Sequence, residues 1–295
     1  MRILILSRKR SLYSTSRLRE EGEKLGHRMD VVDPLRCVLH MGPDGPAIHA
    51  GGRSLPRPGA VIPRVGSMGT DYSVAVVRHF ELMGVPVLNG SDAIGRAKHK
   101  LACLQILASR GLPVPDTLIA RYPKDLDRLM KLLGGPPVIL KLLRGTQGTG
   151  VIFAENRSSV ESVLETIWSL GEDILLQRFI AESKGKDVRA LVLDGRVFAA
   201  MRRTGPPGEF RSNIHRGGVG EGITLGKPYE RAAIAAARAI GLNAAGVDML
   251  ETADGPVILE VNASPGFEGL EEATGVNAAR ELVRTAAHTA RRKRR

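Results

Sequence analysis

The sequence predicts an α/β protein that becomes α+β in its second part. In roughly the first 95 residues, short apolar strands alternate with helices, which is typical of a small parallel α/β unit. Further along, apolar runs are separated by Asp-Gly turns, which predict antiparallel hairpins. Hydrophobic residues make up 43% of the 295 residues, enough for an ordinary globular core.

The first part divides into elements in a simple order. We predict strands at Arg2–Leu6, Arg28–Val32, Ala60–Pro63 and Val85–Leu88, and helices at Ser16–Leu25 and Asp71–Met83. The segment Pro43–Pro58 is rich in Pro and Gly, so we predict a loop or a hairpin there. No GxGxxG follows the first strand, so a dinucleotide site of the Rossmann type is not supported.

The second part begins with a helix predicted from Ser91 to Ser109, with Ser91 as N-cap and Gly111 after its end. The later elements are a strand at Pro136–Leu143, a strand at Val151–Ala154, a helix at Ser159–Leu170, a strand at Asp173–Ile180 and a hairpin at Lys186–Arg203 about Asp194-Gly195. A second hairpin is predicted about Asp254-Gly255.

The net charge of +12 would attract nucleic acid, ribosomes, anionic lipid or acidic peptides and small molecules. Aromatic residues are only 4% of the chain, and no basic-aromatic motif predicts single-stranded RNA binding. The run Arg291–Arg295 is usually a solvated tail, and RNA docking is the alternative. No apolar run is long enough to span a membrane. Cys37 and Cys103 form no disulfide framework, so we expect a cytoplasmic protein.

Near the end of the chain, two oxygen-bearing side chains share one face of a predicted strand. Glu260 and Asn262 are two residues apart, so they point the same way. The hairpin would bring Asp248, on the strand Ala245–Leu250, beside them. Carboxylate and amide oxygens suit Mg²⁺ or Mn²⁺, which enter sites together with substrate phosphates. The alternative is that Asp248 caps a loop and Glu260 lies on a solvated face.

A lysine and a glycine-rich loop predict a phosphate site. Lys141 interrupts an apolar strand, and glycines follow at 145, 148 and 150. Such glycines allow backbone amides to approach phosphate oxygens, and a buried ammonium requires a partner. The spacing is not that of a Walker A motif. Alternatively, the loop is only a turn and Lys141 extends its amine to solvent.

Three further segments could contact a nucleotide. The strand Ile174–Ile180 could offer backbone groups to an adenine edge, and Asp187 could accept ribose hydroxyls. In the loop Phe210–Gly218, the residues Arg211, Ser212 and Asn213 could clamp phosphate. Each segment has an ordinary alternative, which is plain strand and turn for the first two and a mobile surface loop for the third. His215 has no nearby His or Cys with which to bind a metal.

Taken in order, these residues resemble the ATP-grasp fold, and the whole chain to about residue 287 resembles the RimK family. The segments that carry the resemblance are Met1–Ser7, Leu12-Tyr13, Arg17–Glu20, Asp33–Leu35, Val61–Arg64, Lys141-Leu142, Gly145–Gly148, Phe210–Asn213, His215–Gly218 and Glu260–Gly266. The Glu-Val-Asn-Ala-Ser-Pro-Gly and Phe-Arg-Ser-Asn segments are the specific ones. The resemblance implies an N-terminal Rossmann-like pre-ATP-grasp domain at 1–95, an ATP-grasp domain at 96–287 with a lid at about 112–185, and a basic tail at 288–295.

The resemblance also implies roles for individual residues. ATP would be bound by Lys100, Lys141, Gly145, Gln147, Gly148, Arg178, Phe179, Asp187, Arg211, Ser212 and Asn213. Two magnesium or manganese ions would be held by Asp248, Glu260 and Asn262. The backbone of Arg178 and Phe179 would hold adenine, and Arg211 would be the catalytic residue. The family usually has an acidic residue where Arg178 stands, so the role of this side chain stays open.

The activity implied is that of an ATP-dependent carboxylate-amine ligase. It would add L-glutamate to the C-terminal glutamate of the sixth small-subunit ribosomal protein through an acyl phosphate, with poly-glutamate as a further product. A homo-oligomer, as in the tetramers of the family, and contact with the ribosome would follow, without membrane binding. One alternative is an ATP-grasp amino-acid ligase for a small molecule or a carrier protein. The other is a non-catalytic ribosome- or RNA-binding module.

Overall fold

The protein is described here by a computed structural model that covers residues 1–66, 70–119, 126–143, 150–183, 185–209, 212 and 217–292. In chain order the first part contains β1 (Arg2–Leu6), α1 (Tyr13–Lys24), β2 (Arg28–Val32), β3 (Cys37–Gly42), β4 (Gly45–Ala50), β5 (Arg53–Ser54), β6 (Ala60–Pro63) and α2 (Thr70–Leu82). β1 lies between β2 and β6 in a parallel sheet. The predicted parallel α/β unit is confirmed.

Two details of this unit differ from the prediction. The predicted strand Val85–Leu88 shrinks to one parallel bridge between Val87 and Val61. The Pro- and Gly-rich segment is not a loop throughout, because β3, β4 and β5 form a small antiparallel sheet. Within the predicted segment, β4 and β5 form a hairpin about Gly51-Gly52, which was one of the two predicted outcomes.

The predicted helix Ser91–Ser109 is wrong in one respect, because it is two helices, α3 (Ser91–Lys98) and α4 (Lys100–Ser109). The backbone of His99 is extended between them, and its Nδ1 accepts a hydrogen bond from the Ala102 amide at 3.2 Å. Gly90, not Ser91, stands at the N-cap of α3. The break is stabilised by this side-chain cap, which satisfies an amide that the first turn would otherwise leave unpaired.

The middle of the chain forms a separate four-stranded antiparallel sheet with its own core. Its elements are β7 (Thr117–Ile119), α5 (Leu126–Leu132), β8 (Val138–Leu142), β9 (Val151–Ala154), α6 (Arg157–Ser169) and β10 (Ile174–Arg178). The strand order is β7-β10-β8-β9, and the apolar side chains of α5 and α6 pack against it. Asn156 caps α6 by accepting from the Ser159 amide at 3.0 Å, so the helix begins two residues before its predicted start.

The third sheet is antiparallel and has five strands in the order β13-β12-β11-β14-β15. Its elements are β11 (Lys186–Leu193), β12 (Arg196–Thr204), β13 (Val219–Ile223), α7 (Lys227–Ile240), β14 (Ala244–Thr252) and β15 (Gly255–Asn262), followed by α8 (Glu268–Thr274) and α9 (Ala278–Arg292). Both predicted hairpins are present, β11-β12 and β14-β15. None of the described helices is long and apolar enough to cross a membrane.

The last helix, α9, packs against the N-terminal parallel sheet. Leu282, Val283 and Ala286 are buried in one cluster with Ile3 and Ile5 of β1. The residues 288–292 continue this helix, and Ala290 is fully buried. This part of the predicted basic tail is therefore folded, while 293–295 lie outside the described residues.

Candidate active site

The β14-β15 hairpin places the predicted oxygen ligands together. Asp248 is directly opposite Glu260, and Asn262 is opposite Gly246 two positions further along β15. A register shift between Asp248 and Met249 lets two residues of β15 oppose one of β14. Because directly opposed side chains lie on the same face of a sheet, the two carboxylates and the amide share one face.

Asp248 is held by two arginines from the neighbouring strands. It is buried, with 4% of its surface exposed. Nε and Nη2 of Arg189 donate to its two oxygens at 2.7 and 2.6 Å, and Nη2 of Arg203 lies 3.1 Å from Oδ2. Burial raises the pKa of Asp248, but Arg189 and Arg203 outweigh this and lower it. Asp248 is therefore a fixed, ionised carboxylate.

Asp187 is linked to the same network. Arg203 donates from Nε and Nη2 to its two oxygens at 2.6 and 2.5 Å, and both residues are buried. Burial lowers the pKa of Arg203, but Asp248 and Asp187 raise it by more. A carboxylate has about four lone-pair positions, so a ribose hydroxyl would have to use the positions on Asp187 that Arg203 leaves open.

Glu260 differs sharply from its neighbour. Its side chain retains exposed surface, yet the protein around the carboxylate and the charge of Asp248 raise its pKa, while Arg189, Lys141 and Lys100 lower it. No side chain in the described part of the chain donates a hydrogen bond to it. Glu260 thus carries the unbalanced negative charge of the hairpin, which a bound cation would relieve.

Lysines from two other elements lie within electrostatic range of this carboxylate. Lys141 of β8 donates to Oε1 of Gln177 at 2.6 Å, and Lys100 at the start of α4 donates to the Leu142 carbonyl at 2.9 Å. Burial lowers the pKa of Lys141 to about 8, with Glu260 opposing and Lys100 reinforcing the shift. Burial also lowers the pKa of Lys100, and Glu260 opposes that shift. The Lys141 ammonium is therefore oriented by a neutral amide oxygen.

The predicted adenine strand ends beside these lysines. Gln177 is buried, and its Nε2 donates to Oγ1 of Thr117 at 2.8 Å. The Arg178 amide donates to the Asp116 carbonyl at 2.9 Å, and the Arg178 side chain is exposed. The ring of Phe179 meets that of Phe153 edge to face, with centroids 4.8 Å apart. This segment offers an apolar wall, and Arg178 points to solvent.

Several predicted residues cannot be placed. Gly145, Gln147, Gly148, Arg211 and Asn213 lie outside the described residues. Ser212 is described and buried, with 7% of its surface exposed.

The hairpin residues fit a divalent cation. Their ligand atoms are hard oxygens, as Mg²⁺ and Mn²⁺ prefer, and within the described residues Asp248 Oδ1 accepts one hydrogen bond. The described residues contain no group of three His, Cys, Asp or Glu around a common point. The fit therefore depends on the amide as the third ligand.

Sequence reasoning did not find four of the charged or polar groups at this site, which are Lys98, Gln177 as the partner of Lys141, Arg189 and Arg203. Arg189 stands two residues after Asp187, so their common face was readable from the strand pattern. The Arg203 pairing was hidden because a bulge between Leu191 and Val192 shifts the hairpin register. Lys98 was missed because a single helix was predicted across the break at His99.

Comparison with known proteins identifies the family. A RimK-like ATP-grasp domain matches residues 97–286, and a RimK PreATP-grasp domain matches residues 1–94. The chain belongs to the RimK family. Among relatives of this RimK chain, a probable alpha-L-glutamate ligase of Marinomonas sp. (strain MWYL1) is 47% identical over 98% of this chain and 96% of its own. A probable alpha-L-glutamate ligase 1 of Hahella chejuensis (strain KCTC 2396) is 50% identical over 93% and 91%.

A solved structure of the ATP-grasp ligase PsnB, complexed with minimal precursor, Mg and ADP, matches 98% of each chain with a TM-score of 0.75 at 22% identity. The ATP-grasp fold predicted for this RimK chain is confirmed. It is an ATP-dependent ligase, of a family that uses ATP and a divalent metal ion.

Proposed function

We propose that this chain joins the amino group of L-glutamate to a carboxylate of an acceptor, with conversion of ATP to ADP and phosphate. The observation that carries the proposal is that oxygen ligands for a metal ion and two lysines lie near one another at one site. Glu260, Asp248 and Asn262 lie on one hairpin, and Lys141 and Lys100 lie close enough to Glu260 to shift its pKa. Phosphoryl transfer from ATP needs this combination. The names of the relatives support glutamate as the amine.

The reaction proceeds in two steps. An oxygen of the acceptor carboxylate attacks the γ-phosphorus, the bond from that phosphorus to the β–γ bridging oxygen breaks, and ADP leaves with the electron pair. The glutamate amine then attacks the acyl carbon, the bond between that carbon and the phosphate oxygen breaks, and the nitrogen loses a proton. The protein positions the reactants and excludes water, which would hydrolyse the acyl phosphate.

The residues divide this work between them. Lys141 and Lys100 hold phosphate oxygens, and the segment around Phe179 lies against the adenine. Asp187 would meet the ribose. Arg211, with Ser212 and Asn213, would stabilise charge on the transferred group. Asp248, Glu260 and Asn262 would hold Mg²⁺ or Mn²⁺, two ions in all, which neutralise phosphate charge when bound.

For the acceptor we propose the acidic C-terminal tail of the sixth small-subunit ribosomal protein, extended by one or more glutamates. The motivation is the RimK membership together with the net charge of +12, because a basic surface attracts a tail that ends in glutamates. A homo-oligomer in contact with the ribosome, in the cytoplasm, completes this proposal.

The acceptor is tested by incubating ribosomes with the enzyme, ATP, magnesium and labelled glutamate, followed by mass spectrometry of the ribosomal proteins. We expect label in this one protein. If label enters only another carboxylate, on a small molecule or a carrier protein, that molecule is the acceptor instead. The proposed ligase chemistry would then still stand.

The site is tested by Glu260→Gln, which keeps the shape and removes the charge. We expect acceptor-dependent ADP release to fall by about 100-fold or more, while ribosome binding is unchanged. Glu161→Gln is the matched control, because Glu161 lies on the surface of α6 and, within the described residues, pairs with Arg157; it should retain full activity. Activity of the Glu260→Gln variant close to that of the parent would rule out the metal hairpin.

A further inference from the structure

Arg64 follows β6 directly and lies against the loop after the metal hairpin. Its Nη2 donates to the Pro265 carbonyl at 2.7 Å, three residues beyond Asn262. Its guanidinium carbon is 5.6 Å from the centroid of the Phe267 ring, and Phe267 is buried. These two contacts fix the guanidinium plane beside the metal end of the site.

This guanidinium has unused hydrogen-bonding capacity. Its Nε is buried without a partner, and the Pro265 carbonyl is its one hydrogen-bond acceptor within the described residues. Burial lowers the pKa of Arg64 to about 10, with no carboxylate acting against it. A partly buried cation whose Nε is shielded from water and has no counter-charge is costly, so the arrangement favours an incoming anion.

A second cation lies within electrostatic range of Arg64. Lys98, the last residue of α3, is half buried, and its pKa is lowered by burial and by Arg64 while Glu260 raises it. Glu260 also raises the pKa of Lys141, which burial and Lys100 lower. We treat these cations as two pairs: Lys100 with Lys141, the lid-side lysines that bind ATP phosphates in the proposed function, and Lys98 with Arg64.

We propose that Arg64, with Lys98 beside it, binds a non-reacting carboxylate of an amino-acid substrate. This inference rests on the proposed function, in which the lid-side lysines take the phosphates of ATP. Arg64 and Lys98 are then left to bind a second anion. The planar fork of an arginine matches a carboxylate in two parallel hydrogen bonds. That carboxylate belongs either to the incoming glutamate or to the terminal glutamate of the acceptor.

The two sources are separated by amide analogues of each substrate. The donors compared are L-glutamate, its α-amide and its γ-amide, and the acceptors are peptides that end in Glu or Gln. Arg64→Met removes the charge and retains apolar packing on Phe267. We expect kcat/KM to fall 10- to 100-fold for the acid form of one substrate. The corresponding amide should show no further loss, so the variant no longer distinguishes acid from amide.

Arg157→Met is the matched control, because Arg157 pairs with Asp127 and Glu161 on the lid surface; it should retain the selectivity of the parent. Arg64→Lys retains one charge and loses the fork, and should recover part of the selectivity. Equal losses for acid and amide substrates in the Arg64→Met variant would assign Arg64 a purely structural role. A change confined to the KM for ATP would assign it to phosphate. Either result overturns the inference.

A binding measurement keeps the test independent of turnover. Glutarate, a dicarboxylate of the length of glutamate, is titrated calorimetrically into the parent and into Arg64→Met in the presence of magnesium and ADP. Binding at least 10-fold weaker in the variant supports the inference. Equal binding, or no binding to the parent, overturns it. Failure of the parent to ligate glutamate would instead sink the proposed function.

Discussion

The two sheets that border the site give their cationic side chains different partners. In the five-stranded sheet, the arginines Arg189 and Arg203 are paired with carboxylates in fork geometry. In the four-stranded sheet, Lys141 of β8 donates to the neutral Oε1 of Gln177. A cation paired with a carboxylate is largely neutralised, whereas one held by an amide or a carbonyl keeps its full charge. The first arrangement orients ligands, and the second attracts a substrate.

The comparison predicts the largest effect on stability for Arg203→Met. This change would leave Asp187 without its partner and Asp248 with one fewer, both of them buried. We expect the free energy of unfolding to fall by about 3–5 kcal/mol, measured by urea denaturation.

The adjacent Arg202→Met is the control for this loss. Arg202 pairs with Glu251 at 2.7 and 2.8 Å, but about a third of each side chain is exposed. Its removal should cost less than about 1 kcal/mol. Similar losses for the two variants would mean that burial does not distinguish the two pairs.

Lys141→Met should change stability little and weaken ATP binding strongly. The folded protein loses a buried charge and one hydrogen bond to Gln177, so the free energy of unfolding should change by no more than about 1 kcal/mol. The affinity for ATP should fall by about 10- to 100-fold, as measured by calorimetry. Lys131→Met, at an exposed position of α5, should leave the affinity unchanged. A large loss of stability without a loss of ATP affinity would make Lys141 a structural residue.

The pH dependence of stability follows the lowered pKa of Lys141. The folded-state pKa of Lys141 is about 8, below the usual lysine value of 10.5. Between these values the unfolded chain keeps the proton that the folded protein has lost, so the free energy of unfolding rises with pH in this window. Lys141→Met should remove part of that rise. An unchanged slope between pH 8 and 10.5 would contradict the lowered pKa.

Sequence patterns predicted the fold and the metal hairpin more completely than the charge network. Asp254-Gly255 fixes the β14-β15 register closely enough to bring Asp248 opposite Glu260. A regular β11-β12 hairpin about the turn Asp194-Gly195 would pair Asp187 with Arg202. The bulge shifts the register by one residue, so Arg203 lies opposite Asp187 instead. A bulge depends on packing between sheets, which local patterns do not encode.

Other differences have similar origins. The helix break at His99 depends on an imidazole cap, which a helical pattern does not reveal. The neutral partner of Lys141 comes from β10, which pairs with β8 across the intervening α6. Both results depend on contacts formed only in the folded protein.

The packing of α9 on β1 ties the final helix of the chain to its first strand. Ile3 and Ile5 are covered by side chains from 278–290, so the N-terminal sheet cannot complete its core from its own residues. During synthesis the sheet therefore remains partly uncovered until residues 278–290 have been made. We expect a fragment ending at residue 95 to expose this apolar face and to self-associate, and a separately supplied peptide of the final helix to restore its solubility.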